Sequence, residues 1–175
     1  MRLNVKEATE ILERTPGTLR SLLADLSDAW VSSNEGAETW SPLDVVAHLA
    51  DLERQDWIPR LKIILEEGAE RPFDPVDRVA FRTTLKGKRL RELLEIFAER
   101  RAANLKTLET MRLTDADLDR PGTHPELGRV DVGALLATWA VHDLNHLGQI
   151  VRVMAKRYET TVGPWKPYLG ILNWK

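Results

Sequence analysis

The chain has no cysteine among its 175 residues. Disulfides, thiolate metal ligands and a cysteine nucleophile are therefore excluded. It also has no charge excess. Its 25 basic and 27 acidic residues leave a net charge of −2, without the basic surplus of a nucleic-acid-binding domain. No apolar run approaches the ~20 residues that cross a bilayer. The opening Met1-Arg2-Leu3-Asn4-Val5-Lys6-Glu7 turns amphipathic at once and has no apolar signal-peptide core. These absences lead us to expect a soluble, cytoplasmic protein with no nucleic-acid and no membrane partner. Period-two alternation is missing too, so no sheet is expected. What is present is a 43% apolar composition, enough for a sizeable core, in a length that suits one domain over residues 1–175.

The apolar residues recur at helical spacing. Val5, Ala8, Ile11, Leu12, Leu19, Leu22, Leu23, Leu26 and Trp30 make a first stripe, interrupted by Thr15-Pro16-Gly17. A proline there predicts a break or kink near residue 15, with Thr15 capping the restart. Ser41-Pro42-Leu43-Asp44 is a helix start with a capping box, and Val45, Val46, His48, Leu49 and Leu52 follow on one face. Pro59 predicts a kink before that helix ends near Gly68. Residues 68–86 read as a long connection, of the kind that crosses over a bundle. Arg89–Met111 is helical again, with Arg101 and Asn104 close to its apolar side. Leu113–Arg129 reads as loop, Asp131 caps the last long helix, and an irregular, aromatic-rich tail begins at Thr160. The expected class is all-α, with four main helices.

Two histidines on the last helix, His142 and His146, lie four apart, so their rings project from one face about one turn from each other. Only two more exist. His48 sits in the apolar stripe of another helix, and His124 in a turn-rich loop, where we expect it to be exposed rather than a ligand. Three imidazoles are costly to bury unpartnered, and one shared ion would serve all three. His48, His142 and His146 are therefore candidate metal ligands. Imidazole nitrogens select a divalent transition metal, such as zinc, nickel, iron or manganese, over calcium or magnesium. Three ligands leave a coordination position open for water or substrate. The string His142-Asp143-x-x-His146 loosely matches a zinc-protease motif, but it lacks the glutamate and has no later histidine to complete the set. Asp143 points ~100° away from His142, placed to orient another ring or to act across helices. Asp44 and Asp51, one turn either side of His48, and Gln149, one turn after His146, are candidates for holding the rings. The alternative for each is a solvated or locally capping side chain.

Trp40-Ser41-Pro42-Leu43-Asp44-Val45-Val46-Ala47-His48-Leu49-Ala50-Asp51 and His142-Asp143-Leu144-Asn145-His146-Leu147-Gly148-Gln149-Ile150 resemble the second-helix and last-helix signatures of the DinB-like (DinB/YfiT-like) family. Their order and separation fit as well, so the resemblance covers nearly the whole chain. It implies a four-helix bundle of up-down-down-up topology, often a homodimer, with a metal on His48, His142 and His146. Relatives include thiol-dependent enzymes, which makes a metal-dependent S-transferase joining a low-molecular-weight thiol to a small electrophile the leading expectation. Arg101 would then be a candidate anchor for a carboxylate of thiol or substrate. The alternatives are a metal-dependent hydrolase, with Asp51 or Asp143 as its base, and a non-catalytic, stress-related metal-binding module.

Overall fold

The structure is a computed structural model and describes residues 2–174. Four helical rods form a bundle: α1 (Val5–Leu23), α3 (Pro42–Gln55) continued by α4 (Trp57–Glu66), α6 (Leu90–Met111) and α8 (Val132–Lys156). Short helices α2 (Asp28–Val31), α5 (Phe81–Thr84) and α7 (Asp115–Leu118) lie in the connections.

Contacts fix the directions. Arg100 donates to the Ala50 carbonyl and Asn104 to that of Glu53, so α3 and α6 run parallel. In the core, Leu12 packs with Leu108 while Leu19 packs with Phe97, so α1 opposes α6. Leu12 also packs with Trp139 and Leu19 with Ile150, which makes α1 parallel to α8. The order is up-down-down-up. Two consecutive parallel rods need a long crossover, and residues 67–89 supply it.

Sequence and structure part company at four places. α1 does not break at Pro16 but runs through it. A proline cannot donate to the carbonyl four residues back, which leaves Leu12 O without its helical partner. Arg101 Nη1 takes that carbonyl at 2.9 Å. Thr15 is no cap; its hydroxyl donates to Ile11 O. The second departure is at Pro59, which breaks the rod at Asp56 (φ −110°, ψ −82°), three residues earlier than its own position. The carbonyl it deprives of a donor belongs to Gln55, so the helix ends there.

The third departure is a hairpin, where no sheet was expected. β1 (Pro121–His124) pairs antiparallel with β2 (Gly128–Asp131). Strands of four residues are too short to show a periodic pattern. The hairpin packs closely on α4, because a Cβ on Gly122 would fall 2.6 Å from Ile64 Cγ1. The same strand, β1, is tied to the crossover by the Phe73 amide, which donates to Thr123 O. Last, the tail is not irregular: residues 163–168 and 170–173 form 3-10 turns, and Leu172 is buried.

The core is divided. One apolar cluster holds Leu12, Leu61, Leu108 and Trp139; the other holds Leu19, Val45, Phe97 and Ile150. Between them lies a buried polar layer of Thr15, Glu53, Arg101 and Asp143. No helix among the described residues is long and apolar enough to cross a membrane.

Candidate metal centre

His48 is placed by the start of α3. Ser41 Oγ accepts from the Asp44 amide, and the Asp44 carboxylate accepts from the Ser41 amide at 3.0 Å. This fixes the register in which Val45, Leu49 and Leu52 face the core, and His48 goes with them. Asp131 Oδ1, accepting from the Ala134 amide at 2.7 Å, does the same for α8 and so for His142 and His146. Because α3 and α8 are antiparallel neighbours, the three rings meet.

One ligand atom from each ring lies within 4.8 Å of the others, and the Nε2 atoms of His142 and His146 are 3.1 Å apart. Nitrogens sharing one ion through bonds of ~2.0–2.1 Å stand roughly 3–4 Å apart. The cluster needs little adjustment to hold one. Two of the rings also have their tautomers set. His48 Nδ1 donates to the Arg78 carbonyl at 3.0 Å, and His146 Nδ1 donates to Gln149 Oε1 at 2.7 Å. Each Nε2 is then left with its lone pair. The Nδ1 of His142 is buried without a partner. Aromatic rings enclose the group. Trp40 lies 4.6 Å from His48 and stacks on His146 at 6.3 Å, and the edge of Trp57 meets His142 at 5.2 Å between centroids.

Burial sets the charge state. It is the main cause that lowers the His48 pKa to about 4, helped by the neighbouring His146. Burial, then His146 and His48, lower that of His142 to about 2. His146 is lowered by burial too, against the opposing pull of Gln149. At neutral pH the group is three neutral imidazoles, the state in which each can ligate. No carboxylate belongs to it among the described residues. This donor set suits a borderline transition ion and not calcium or magnesium.

Of the residues read from sequence as holding the rings, Gln149 does so directly. Asp44 serves the α3 cap. Asp51 accepts from Gln55 Nε2 at 2.8 Å and from Thr84 Oγ1 at 3.1 Å. It touches no histidine ring and instead ties α3 to the crossover that delivers the Arg78 carbonyl. Asp143 acts across helices, paired twice with Arg101, at 2.5 and 2.9 Å. Arg101 itself is only 1% exposed. Its Nη1 and Nη2 also reach Leu12 O and, at 2.8 Å, Glu53 Oε1, and its Nε is buried, so it offers nothing to a ligand in the cavity. Burial would lower its pKa, but Asp143 and Glu53 outweigh burial and hold it above the ordinary value.

These assignments separate in one comparison. Gln149→Leu is expected to weaken metal binding ~10–100-fold with little change in stability. Asp44→Ala is expected to remove ~1 kcal/mol of stability while leaving metal affinity in place. Calorimetric metal titration beside thermal melts reads both.

The histidines open onto a cavity of about 570 Å³. Leu52, Phe73, Val130 and Leu135 form its apolar wall, together with the two tryptophans. His124 is not one of the cluster. It is half-buried in this wall, its Nδ1 accepting from the amides of Glu126 and Leu127. Polar residues of the cavity that the sequence did not single out include Asp56, Arg60 and Arg78. Asp56 is only 7% exposed. Its Oδ1 lies 2.9 Å from Arg60 Nη1 but out of line for a hydrogen bond. Burial raises its pKa to about 6, against the opposing charges of Arg60 and Arg78. A polar residue at a helix break beside Trp57 was the one available signal for it. Arg78 gave none, because its main-chain carbonyl is what touches His48.

Relatives agree with this architecture. A protein of Oceanobacillus iheyensis, named as a candidate metal-dependent hydrolase, is 24% identical over 156 residues, 87% of each chain. The solved structure of YfiT from Bacillus subtilis, described as a candidate metal-dependent hydrolase with an unusual four-helix bundle topology, superposes with a TM-score of 0.74 at 23% identity. That match covers 87% of this chain and 86% of YfiT. The four-helix bundle protein TT2238 matches with a TM-score of 0.57 at 24% identity, over 82% of this chain and 95% of its own. The profile of the DinB superfamily matches residues 11–150, and the chain belongs to that superfamily.

Proposed function

We propose that this chain is a metal-dependent hydrolase, with one divalent transition ion held by His48, His142 and His146. The observation that carries this reading is the convergence of three neutral imidazoles from two antiparallel helices at the floor of an open cavity. Such an ion would act as a Lewis acid toward water or a carbonyl group. The residues supply the rest. Trp40 and Trp57 fix the rings and keep bulk water from their faces. Asp56 lines the same cavity as the histidines, with no hydrogen bond from the described residues to either oxygen, and in this reading its carboxylate takes the proton from attacking water. That proton then passes to the leaving alcohol or amine as the ester or amide bond breaks. A carboxylate with a pKa of about 6 is ionised at neutral pH, yet is acid enough to return the proton.

Asp56 supports hydrolysis over the thiol S-transfer expected from sequence. Asp51 and Asp143, the bases considered there, are both spent on other partners. Purified protein loaded with zinc, nickel, manganese or iron(II) should cleave aryl esters or anilides without added thiol. Activity should fall as pH drops through about 6, where Asp56 takes up its proton. Asp56→Asn should lower kcat ~10²–10⁴-fold at unchanged metal content. Turnover only when a low-molecular-weight thiol and an electrophile are supplied would replace this reading with S-transfer.

A further inference from the structure

The cavity is larger than an ion and its water require, and its wall is mostly apolar. One cation on that wall stands apart from the acids of the described residues. Arg78 is exposed, and no acid among the described residues pairs with it, although most other arginines around the bundle have one. Its position is central. It lines the same cavity as His48, Asp56, His124 and His142, groups that together span the cavity from the histidine cluster to the hairpin. Arg60, the other cavity arginine, is already beside Asp56 and lies over the Phe73 ring at 5.2 Å. Glu126 is exposed at the outer rim, next to His124.

Arg78 is also held in place. The Val79 amide donates to Asp77 Oδ1, the Asp77 carbonyl accepts from Gln55, and the Arg78 carbonyl accepts from His48. Its main chain is pinned on both sides, so the side chain starts from a fixed point on the cavity lining. A guanidinium with no acid beside it, carried on a held main chain at a half-enclosed apolar site, recognises a carboxylate in two-pronged fashion.

We infer that the substrate is a small molecule with an apolar or aromatic body and one carboxylate, bound through Arg78 with its body between Trp40 and Trp57 and its reacting group toward His48, His142 and His146. This deepens the hydrolase reading and rests on the cavity being its substrate site. The test requires neither metal nor turnover, so it can fail or succeed independently of that reading. Metal-free protein is titrated with 3-phenylpropionate, with its neutral amide and with phenethylamine, following tryptophan fluorescence and calorimetry. The acid should bind at least about tenfold more tightly than the amide, and the amine not measurably.

Arg78→Gln should abolish the preference for the acid, and Arg78→Lys should keep part of it. Arg91→Gln, on the outer face of α6, should change nothing. The His48 contact uses the main chain, so both Arg78 variants keep it. Equal binding of acid and amide overturns the inference, as does a preference that survives Arg78→Gln, or failure of all three probes to bind.

Discussion

Arg101→Met is expected to lower the unfolding free energy by ~3–5 kcal/mol and the melting temperature by roughly 10 °C or more. The reason is the number of groups this one side chain satisfies. Its donors reach both oxygens of Asp143, Oε1 of Glu53 and the Leu12 carbonyl, and its plane covers the rings of Phe97 and Trp139. Asp143 and Glu53 are fully buried. Glu53 keeps Trp139 Nε1 and Asn104 Nδ2, but Asp143 has no other partner among the described residues. Methionine matches the volume and leaves a carboxylate uncompensated in the core, which is the costly way to break a buried pair. The Leu12 carbonyl, already deprived of its helical donor by Pro16, loses its substitute as well. Removing both charges together costs less than removing one. The double variant Arg101→Met with Asp143→Leu should therefore recover part of the loss. Urea and thermal unfolding measure this directly. A single-variant change below ~1 kcal/mol would mean that the polar layer does not hold the two halves of the core together.

The same layer shows what a sequence displays and what it hides. Caps and apolar stripes are local, and Ser41, Asp44 and Asp131 announced α3 and α8 correctly. Two histidines at helical spacing are local too, and a third on a core-facing stripe was enough to assemble the cluster on paper. Pairings between distant segments are not local. Pro16 predicts a broken helix only if no other residue can reach Leu12 O, and the residue that does is 89 positions away. Arg101 beside an apolar face was visible as an anomaly, but nothing near it said that its partners were Glu53 and Asp143 rather than a ligand. The hairpin escaped for a different reason. Its four-residue strands are held by the crossover and α4, not by a pattern of their own. Asp56 was missed because a proline marks the carbonyl that loses its donor but not whether the helix breaks there: Pro16 leaves α1 whole, and Pro59 does not leave α3 so.

The largest expected effect concerns the histidines. Zinc or nickel is expected to bind as about one ion per chain, and at 100 times its dissociation constant to add ~2.7 kcal/mol of stability. That is roughly 5–10 °C in melting temperature. His48→Ala, His142→Ala and His146→Ala should each lose more than ~100-fold in affinity, exceeding what loss of an outer hydrogen bond costs, with helical content retained. The metal-free protein supplies an independent signature. A histidine whose pKa is depressed by folding contributes stability that is complete above its unfolded value of 6.5 and is lost as pH falls through its folded value. For His48, depressed to about 4, that loss amounts to ~3 kcal/mol. His142 and His146 add to it in the same direction. Asp56 opposes them. Its pKa is raised from 3.8 to about 6, so its contribution is complete below 3.8 and disappears as pH rises through 6. One carboxylate is outweighed by three imidazoles, and metal-free protein should lose stability between pH 6.5 and 4. His48→Ala removes one of the depressed groups. It should therefore abolish metal-induced stabilisation at neutral pH and also flatten the acid loss of the metal-free protein. A loss of metal binding through mere disruption of the bundle would instead lower stability at every pH, so equilibrium unfolding at pH 4.5 and 7.5, with and without metal, decides between the two.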